Sequence, residues 1–92
     1  MEPENKNLNL TETVTLDFPI MVDGAEVKRL TMRRAKIRDR RLVSKQGGDS
    51  VDQEIRLFSI LCDIPEDALN EMDETDYLKL QGVYTSFLSG EK

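Results

Sequence analysis

The side chains that most often carry out catalysis are scarce in this sequence. It contains no histidine, which removes the commonest general base and the commonest metal ligand. The single cysteine, Cys62, falls on the apolar side of a predicted helix, where a packing role is favoured over a nucleophilic one. Gly47-Gly48 is not followed by the Lys-Ser/Thr pair of a phosphate-binding loop and is interpreted as a linker. We therefore expect no catalytic residue, no cofactor and no enzymatic activity.

The acidic residues between Asp63 and Asp76 are the arrangement closest to a metal site. Calcium is bound by carboxylates at short, regular spacing in a loop that contains a turn glycine and ends in a glutamate. The stretch Asp73-Glu74-Thr75-Asp76 lacks that glycine, and no glutamate follows at the right spacing. These acids are therefore interpreted as a solvated face and as helix caps, and we expect no metal site.

Charge is strongly segregated along the chain, although the formal net charge is only −5. Residues 1–27 carry six acidic residues and one basic residue, and residues 46–92 carry eleven acidic and three basic residues. Between them, residues 28–45 carry nine basic residues and one acidic residue, a net charge of +8. We call residues 28–45 the basic band, and it is the clearest compositional signal in the sequence.

The basic band has two interpretations, both centred on Arg38, Arg40 and Arg41. Its density of arginines would suit a small nucleic-acid-binding regulator. However, the band contains no aromatic residue, and the acidic remainder of the protein would repel phosphate. We therefore favour neutralisation of the protein's own acidic C-terminal half, or contact with an acidic partner, and keep nucleic-acid binding as the alternative.

A chain of 92 residues predicts one domain with a thin core. Residues 1–12 are polar and are expected to form a flexible tail ahead of a single domain over 13–92. The alternation of Val14, Leu16 and Phe18 with polar residues predicts a strand with one buried face. Asp23-Gly24 then predicts a tight turn, which makes residues 13–32 a β-hairpin.

Three to four helices packed as a small bundle are predicted after the hairpin, which gives an α+β fold. The first is basic, with a narrow apolar stripe at Ile37 and Leu42, and the second is central, with Val51 at the start of its buried stripe. The predicted helices span about 35–46, 51–62, 65–71 and 74–88. The predicted core consists of Leu16, Phe18, Leu30, Ile55, Phe58, Leu61, Leu80, Tyr84 and Phe87.

The aromatic side chains Tyr77, Tyr84 and Phe87 form one stripe on the last predicted helix. Helical spacing is compatible with a purely structural role in the core. So short a chain has few other elements to cover this stripe, and a partly open apolar helix is a common binding surface. Both interpretations remain open, and these three residues join Arg38, Arg40 and Arg41 as candidate partner-binding residues.

The sequence favours a reducing cytosol as the location of the protein. Cys62 has no second cysteine with which to form an intramolecular disulfide. The first residues, Met1-Glu2-Pro3-Glu4, are acidic where a signal peptide would be basic. No apolar run approaches the roughly 20 residues of a membrane span, so no membrane association is expected.

A run of features over residues 13–88 resembles a known protein family. The hairpin is followed by an apolar helix ending in Leu57-Phe58-Ser59-Ile60-Leu61-Cys62, then by the step Ile64-Pro65-Glu66-Asp67-Ala68-Leu69. The last helix opens at Met72-Asp73 and closes on Phe87-Leu88. In this order of features the chain resembles the tail assembly chaperones of Mu-like, contractile-tailed phages and prophages, although the basic band is a departure from the family pattern.

The resemblance implies a protein of virion morphogenesis that works in the bacterial host cytosol and is absent from the mature virion. Its expected partners are the tape measure protein, whose long helices are prone to aggregate, and the tail tube protein that polymerises around it. The resemblance also implies self-association and a longer form made by programmed frameshifting near the 3′ end of the gene.

Overall fold

A computed structural model describes residues 10–89 of the chain, and its architecture confirms the predicted α+β class. A two-stranded antiparallel sheet comes first and four helices follow. The expected tail over 1–12 falls mostly outside the described residues, and Thr11 and Glu12 already belong to the first strand. The elements are β1 (Thr11–Val22), β2 (Ala25–Arg33), α1 (Ile37–Lys45), α2 (Ser50–Cys62), α3 (Glu66–Asn70) and α4 (Glu74–Ser89).

The hairpin turns where the sequence predicts, at Asp23-Gly24. Both residues have positive φ, 53° and 82° respectively, which is the conformation that a two-residue hairpin turn requires. The strands pair from Val22 opposite Ala25 back to Thr11 opposite Arg33. This pairing directs the buried side chains of both strands toward the helices.

The regular pairing of β1 with β2 is interrupted once. Thr15 lies opposite Arg29 and Ile20 lies opposite Val27, so residues 16–19 of β1 face the single residue 28 of β2. We call residues 16–19 the arch, since the extra residues must bulge out of the ladder. Pro19, which has no N–H to contribute to a ladder, belongs to this arch.

The arch overturns the prediction that Phe18 is a core residue. Val14, Leu16 and Ile20 are buried, as alternation predicts, but the Phe18 side chain is 57% exposed. A strict period of two holds only where the strand is regular, and the arch breaks that regularity between Leu16 and Ile20. Phe18 therefore lies at the surface of the protein.

The second helix begins and ends at residues with identifiable capping chemistry. Asp49 is the N-cap and accepts a hydrogen bond from the backbone N–H of Asp52, whose own carboxylate accepts from the N–H of Asp49. This reciprocal pair forms a capping box. Asp63 ends the helix with a left-handed backbone, φ 56°. Pro65 follows as the N-cap of α3.

The core lies between one face of the hairpin and the helices α2, α3 and α4. Phe58 of α2 is fully buried and packs against the rings of Tyr77 and Tyr84, each with ring centroids 5.5 Å away. Val51 was predicted to start the buried stripe of α2 but is 64% exposed, because the helix enters the core only after its first turn. The buried apolar residues are Val14, Leu16, Ile20, Leu30, Met32, Val43, Leu57, Phe58, Leu61, Cys62, Ala68, Leu69, Leu80 and Phe87.

The orientation of α1 also differs from the prediction. Ile37 and Leu42, the expected apolar stripe, are 74% and 50% exposed. The helix instead buries Val43 and the carboxylate of Asp39. An ion pair between Asp39 and Arg33 holds this side of α1 against the rest of the protein. A charged residue, whose type alone would suggest exposure, therefore determines which side of α1 is buried.

Candidate interaction surface

Asp39, the one acidic residue of the basic band, is the residue that anchors α1. The two terminal guanidinium nitrogens of Arg33 donate to its carboxylate, at 2.9 and 3.0 Å, and the backbone N–H of Lys36 donates to the same carboxylate at 2.8 Å. Paired hydrogen bonds from a planar guanidinium are among the strongest in proteins. The Arg33 hydrogen bonds outweigh the desolvation of Asp39 and lower the pKa of its carboxyl to about 2. Arg33 and Asp39 are therefore committed to the fold.

The opposite side of α1 carries a row of exposed basic side chains. Arg38, Arg41 and Lys45 follow one another at helical spacing and, with Leu42 and the edge of Asp39, line a shallow depression. Within residues 10–89, none of these three cations forms an ion pair. We call Arg38, Arg41, Leu42 and Lys45 the cationic face.

The interpretation of the basic band as self-neutralising finds little support in this geometry. Inside the described part of the chain, the one ion pair that a residue of the band forms is Arg33 with Asp39, which itself belongs to the band. The other ion pairs of the described residues join Arg56 or Lys79 to acids elsewhere. The acidic helices α3 and α4 therefore leave the cationic face without charge compensation.

Arg40, the third predicted arginine, points in a different direction from Arg38 and Arg41. One of its guanidinium nitrogens donates to the hydroxyl of Tyr84, which joins α1 to α4. This contact borders a groove of about 230 Å³ whose apolar floor includes Val43 and Leu57. The groove is lined by Arg40, Val43, Ser50, Gln53, Glu54, Leu57 and Tyr84.

The three predicted aromatic residues occupy different environments. Phe87 is buried, and the Arg34 guanidinium lies 5.1 Å from the centre of its ring. Tyr77 is half-buried and donates to Glu54 at 2.7 Å; burial, reinforced by that carboxylate, raises the pKa of its hydroxyl above the ordinary range. Tyr84 lines the groove beside Arg40, and its ring, like that of Tyr77, packs against the buried Phe58.

Asp76 was predicted to belong to a solvated, helix-capping face, and the structure shows that this is wrong. Its side chain is fully buried and accepts hydrogen bonds from the backbone N–H groups of Asp17 and Phe18, each at 2.9 Å. Burial alone would raise the pKa of the Asp76 carboxyl, but these two N–H groups and Lys79 more than offset it, and the pKa is lowered. The carboxylate thereby fixes the arch.

Lys79 completes this arrangement one helical turn after Asp76. Its ammonium lies 3.2 Å from a carboxylate oxygen of Asp76 and 3.2 Å from one of Asp17, and it donates to the carbonyl of Thr15 at 3.0 Å. Sequence reasoning missed this cluster, because nothing local distinguishes Asp76 from the neighbouring acids. The arch and α4 are consequently held together by polar contacts rather than by Phe18.

The metal-binding and nucleophilic potential of the described residues is low. Among them, no group of three or more acidic or cysteine side chains could hold a metal ion. Burial raises the pKa of the Cys62 thiol to about 12, so this thiol stays protonated. None of the helices described is long and apolar enough to cross a lipid bilayer.

Comparison with known proteins gives one match. The model of a protein family described as phage tail assembly chaperone proteins, E, or 41 or 14, matches residues 13–89. This range spans the hairpin and all four helices of the fold. Searches of the curated proteins and of the solved structures found no match.

Proposed function

The chain belongs to the family of phage tail assembly chaperone proteins, E, or 41 or 14, and from this premise we propose that it binds the tape measure protein of a phage tail. Membership of the family implies a non-enzymatic role and an interaction with tail proteins. We propose that the tape measure protein is kept soluble until tail tube protein polymerises around it. The chaperone then leaves and is absent from the mature virion.

The observation that carries this proposal is the cationic face of α1. Arg38, Arg41 and Lys45 are exposed, lie on one side of one helix, and form no ion pair within the described residues. A charged surface that a protein does not neutralise itself is available to steer and orient an oppositely charged partner. Exposed ion pairs are individually weak, at about 0–1 kcal/mol each. Such contacts suit a chaperone that must later be displaced.

The proposed setting is the bacterial host cytosol, whether the gene is carried by a phage or a prophage. Several weak contacts from several copies of the chaperone would hold one long tape measure protein more firmly than any single contact. Self-association of the chaperone and contact with the tail tube protein are further parts of the proposal.

Co-expression with the tape measure protein of the same genome tests the proposal. The charge reversal Arg38→Glu with Arg41→Glu should leave the chaperone folded but reduce the soluble fraction of the tape measure protein severalfold. The matched control is Lys28→Glu with Arg29→Glu, since both residues are exposed on β2 and the net charge changes equally. A wild-type chaperone that does not increase tape measure solubility at all would contradict the proposed function.

The alternative function, a nucleic-acid-binding regulator, would use the exposed arginines of the basic band. It predicts binding to duplex DNA whose affinity falls steeply with salt, because each phosphate contact releases counterions. Fluorescence anisotropy of labelled DNA across a salt series separates the two. Tight, sequence-dependent binding of DNA by the wild type would favour the regulator.

A further inference from the structure

The three most exposed large apolar side chains of the described residues come from distant parts of the sequence. Ile37 is 74% exposed, Leu10 is 71% exposed and Leu88 is 67% exposed. Ile37 begins α1, Leu10 directly precedes β1, and Leu88 lies in the last turn of α4. Scattered exposed leucines are ordinary on a protein surface, whereas a contiguous group of them marks an interaction site.

Arg34 joins the chain segments that carry these three side chains. The backbone N–H of Arg34 donates to the carbonyl of Leu10 at 3.2 Å. The Arg34 guanidinium donates to the carbonyl of Phe87 at 3.0 Å, and Leu88 is the next residue. Ile37 follows Arg34 by three residues. We call Leu10, Ile37 and Leu88 the Arg34 patch.

A second contact supports this placement independently. The Arg40 guanidinium donates to the Tyr84 hydroxyl, which sets α1 beside the C-terminal half of α4. Ile37 lies one helical turn before Arg40, and Leu88 lies one turn after Tyr84. Residues three or four apart on a helix share a side, so both apolar side chains adjoin the same junction of α1 with α4.

Exposed basic side chains of α1 adjoin the patch at Ile37. The cationic face continues from Ile37 along α1, through Arg38 and Arg41 to Lys45, over a length of roughly 13 Å at 1.5 Å per residue. Arg34, which bonds to the backbone at Leu10 and Phe87, adds a further positive charge. Since no acidic side chain of the described residues pairs with the cationic face, an occupant that combines apolar and acidic side chains is complementary to both features.

We propose that the Arg34 patch, together with the cationic face, is the docking site for an amphipathic helix of the partner that carries an apolar stripe flanked by acidic residues. This inference rests on the proposed function and specifies the chemistry of the tape measure segment that is bound. The apolar stripe covers Leu10, Ile37 and Leu88, and the acidic flank lies against α1. A helix fits this site because an extended peptide would need an open strand edge, whereas these side chains lie at the ends of three different elements.

Two synthetic helical peptides test the chemistry directly. They share one leucine stripe, and the flanking positions carry glutamate in one peptide and lysine in the other. We expect the glutamate-flanked peptide to bind the wild-type protein at least tenfold more tightly, measured by fluorescence anisotropy. Equal binding of both peptides, or tighter binding of the lysine-flanked peptide, overturns the proposal.

A triple variant and a matched control locate the site. The variant Leu10→Ser, Ile37→Ser and Leu88→Ser should weaken binding of the glutamate-flanked peptide at least tenfold. The control substitutes Met21, Val51 and Leu78 by serine; these are 60%, 64% and 62% exposed, so it removes a similar apolar area elsewhere. The control should change the affinity less than twofold. An equal loss in both variants overturns the location.

The other possible occupants give different results with the same triple variant. If a second copy of the chain covers the patch, the substitutions reduce the molecular mass measured by sedimentation. If another part of the chain itself covers it, the substitutions lower the thermal unfolding temperature. Either result overturns the proposal, which predicts that both quantities stay unchanged.

The test separates this inference from the function on which it rests. In co-expression, a wild-type protein that solubilises the tape measure protein and a triple variant that solubilises it equally well would overturn the docking site alone. Failure of the wild type would overturn the proposed function.

Discussion

At the scale of single residues, two buried carboxylates determine features that the apolar residues leave open. Asp76 supplies the acceptors for two backbone N–H groups of the arch. Asp76→Ala should therefore destabilise the protein by about 3 kcal/mol, because buried donors left without an acceptor are costly. Urea unfolding measures this change. The control Asp17→Asn, at a 67% exposed side chain that pairs with Lys79, should cost less than about 1 kcal/mol.

Asp39 makes the stability depend on pH. The carboxyl has a pKa of about 2 in the folded protein, against an ordinary value of 3.8, so its contribution is complete above the ordinary value and is lost as the pH falls toward 2. The difference in unfolding free energy between the wild type and Asp39→Asn should shrink over this range. Urea unfolding at a series of pH values measures it, and Arg33→Met should flatten the profile in the same way. A difference that persists undiminished below pH 2 would contradict this account.

The roles of these two acids could not be predicted from the sequence. Asp39 is one acid among nine basic residues, and Asp76 is one of several acids at the start of a helix. Local sequence patterns predict that both side chains are exposed to solvent. Their burial depends on partners supplied by the fold, which for Asp76 are N–H groups 58 and 59 residues away.

At the scale of elements, local signals were sufficient where the structure is regular. The turn at Asp23-Gly24 and the order of hairpin and helices follow from turn chemistry and periodicity. The signals failed where a polar contact overrides periodicity, as for Phe18 in the arch and for the buried side of α1. Of the candidate binding residues, Arg38 and Arg41 lie on one exposed face, while Phe87 lies in the core.

The orientation of α1 is testable with two neighbouring residues. Val43 is 4% exposed, whereas Leu42, which was predicted to lie in the apolar stripe of α1, is 50% exposed. Val43→Ala should destabilise the protein by roughly 1–3 kcal/mol, and Leu42→Ala by less than about 0.5 kcal/mol. Thermal or urea unfolding distinguishes the two, and a larger cost at Leu42 would show that α1 is rotated.

At the scale of the whole molecule, exposed positive charge and exposed apolar side chains lie next to each other. The cationic face and the Arg34 patch adjoin each other at the start of α1, where Ile37 precedes Arg38. The segregation of charge was evident in the sequence. The apolar patch was not, because it forms from the start of β1, the start of α1 and the end of α4.

The proposed longer form makes a prediction about the gene. Slippage by one base backward requires repeated bases, and Ser86-Phe87-Leu88 can be encoded as TCT-TTT-TTA or TCT-TTT-TTG, which contain an unbroken run of thymines. Core packing explains why the chain has an apolar residue at Phe87, but it does not explain the apolar residue Leu88, whose side chain is 67% exposed. We expect a thymine run at these codons with an overlapping reading frame in the −1 register. A TTC codon for Phe87 without such a frame, read from the DNA, would remove this site.

The carboxylate of Asp76 also has a consequence for the order in which the protein folds. During synthesis the hairpin leaves the ribosome before α4 has been made. Until α4 packs against the hairpin, the backbone N–H groups of Asp17 and Phe18 lack the Asp76 carboxylate as an acceptor. Closing a loop of nearly sixty residues is entropically unfavourable until the contacts it brings together have formed. The arch therefore acquires its native shape among the last features of the molecule, after the hairpin turn at Asp23-Gly24, although it lies before that turn in the chain.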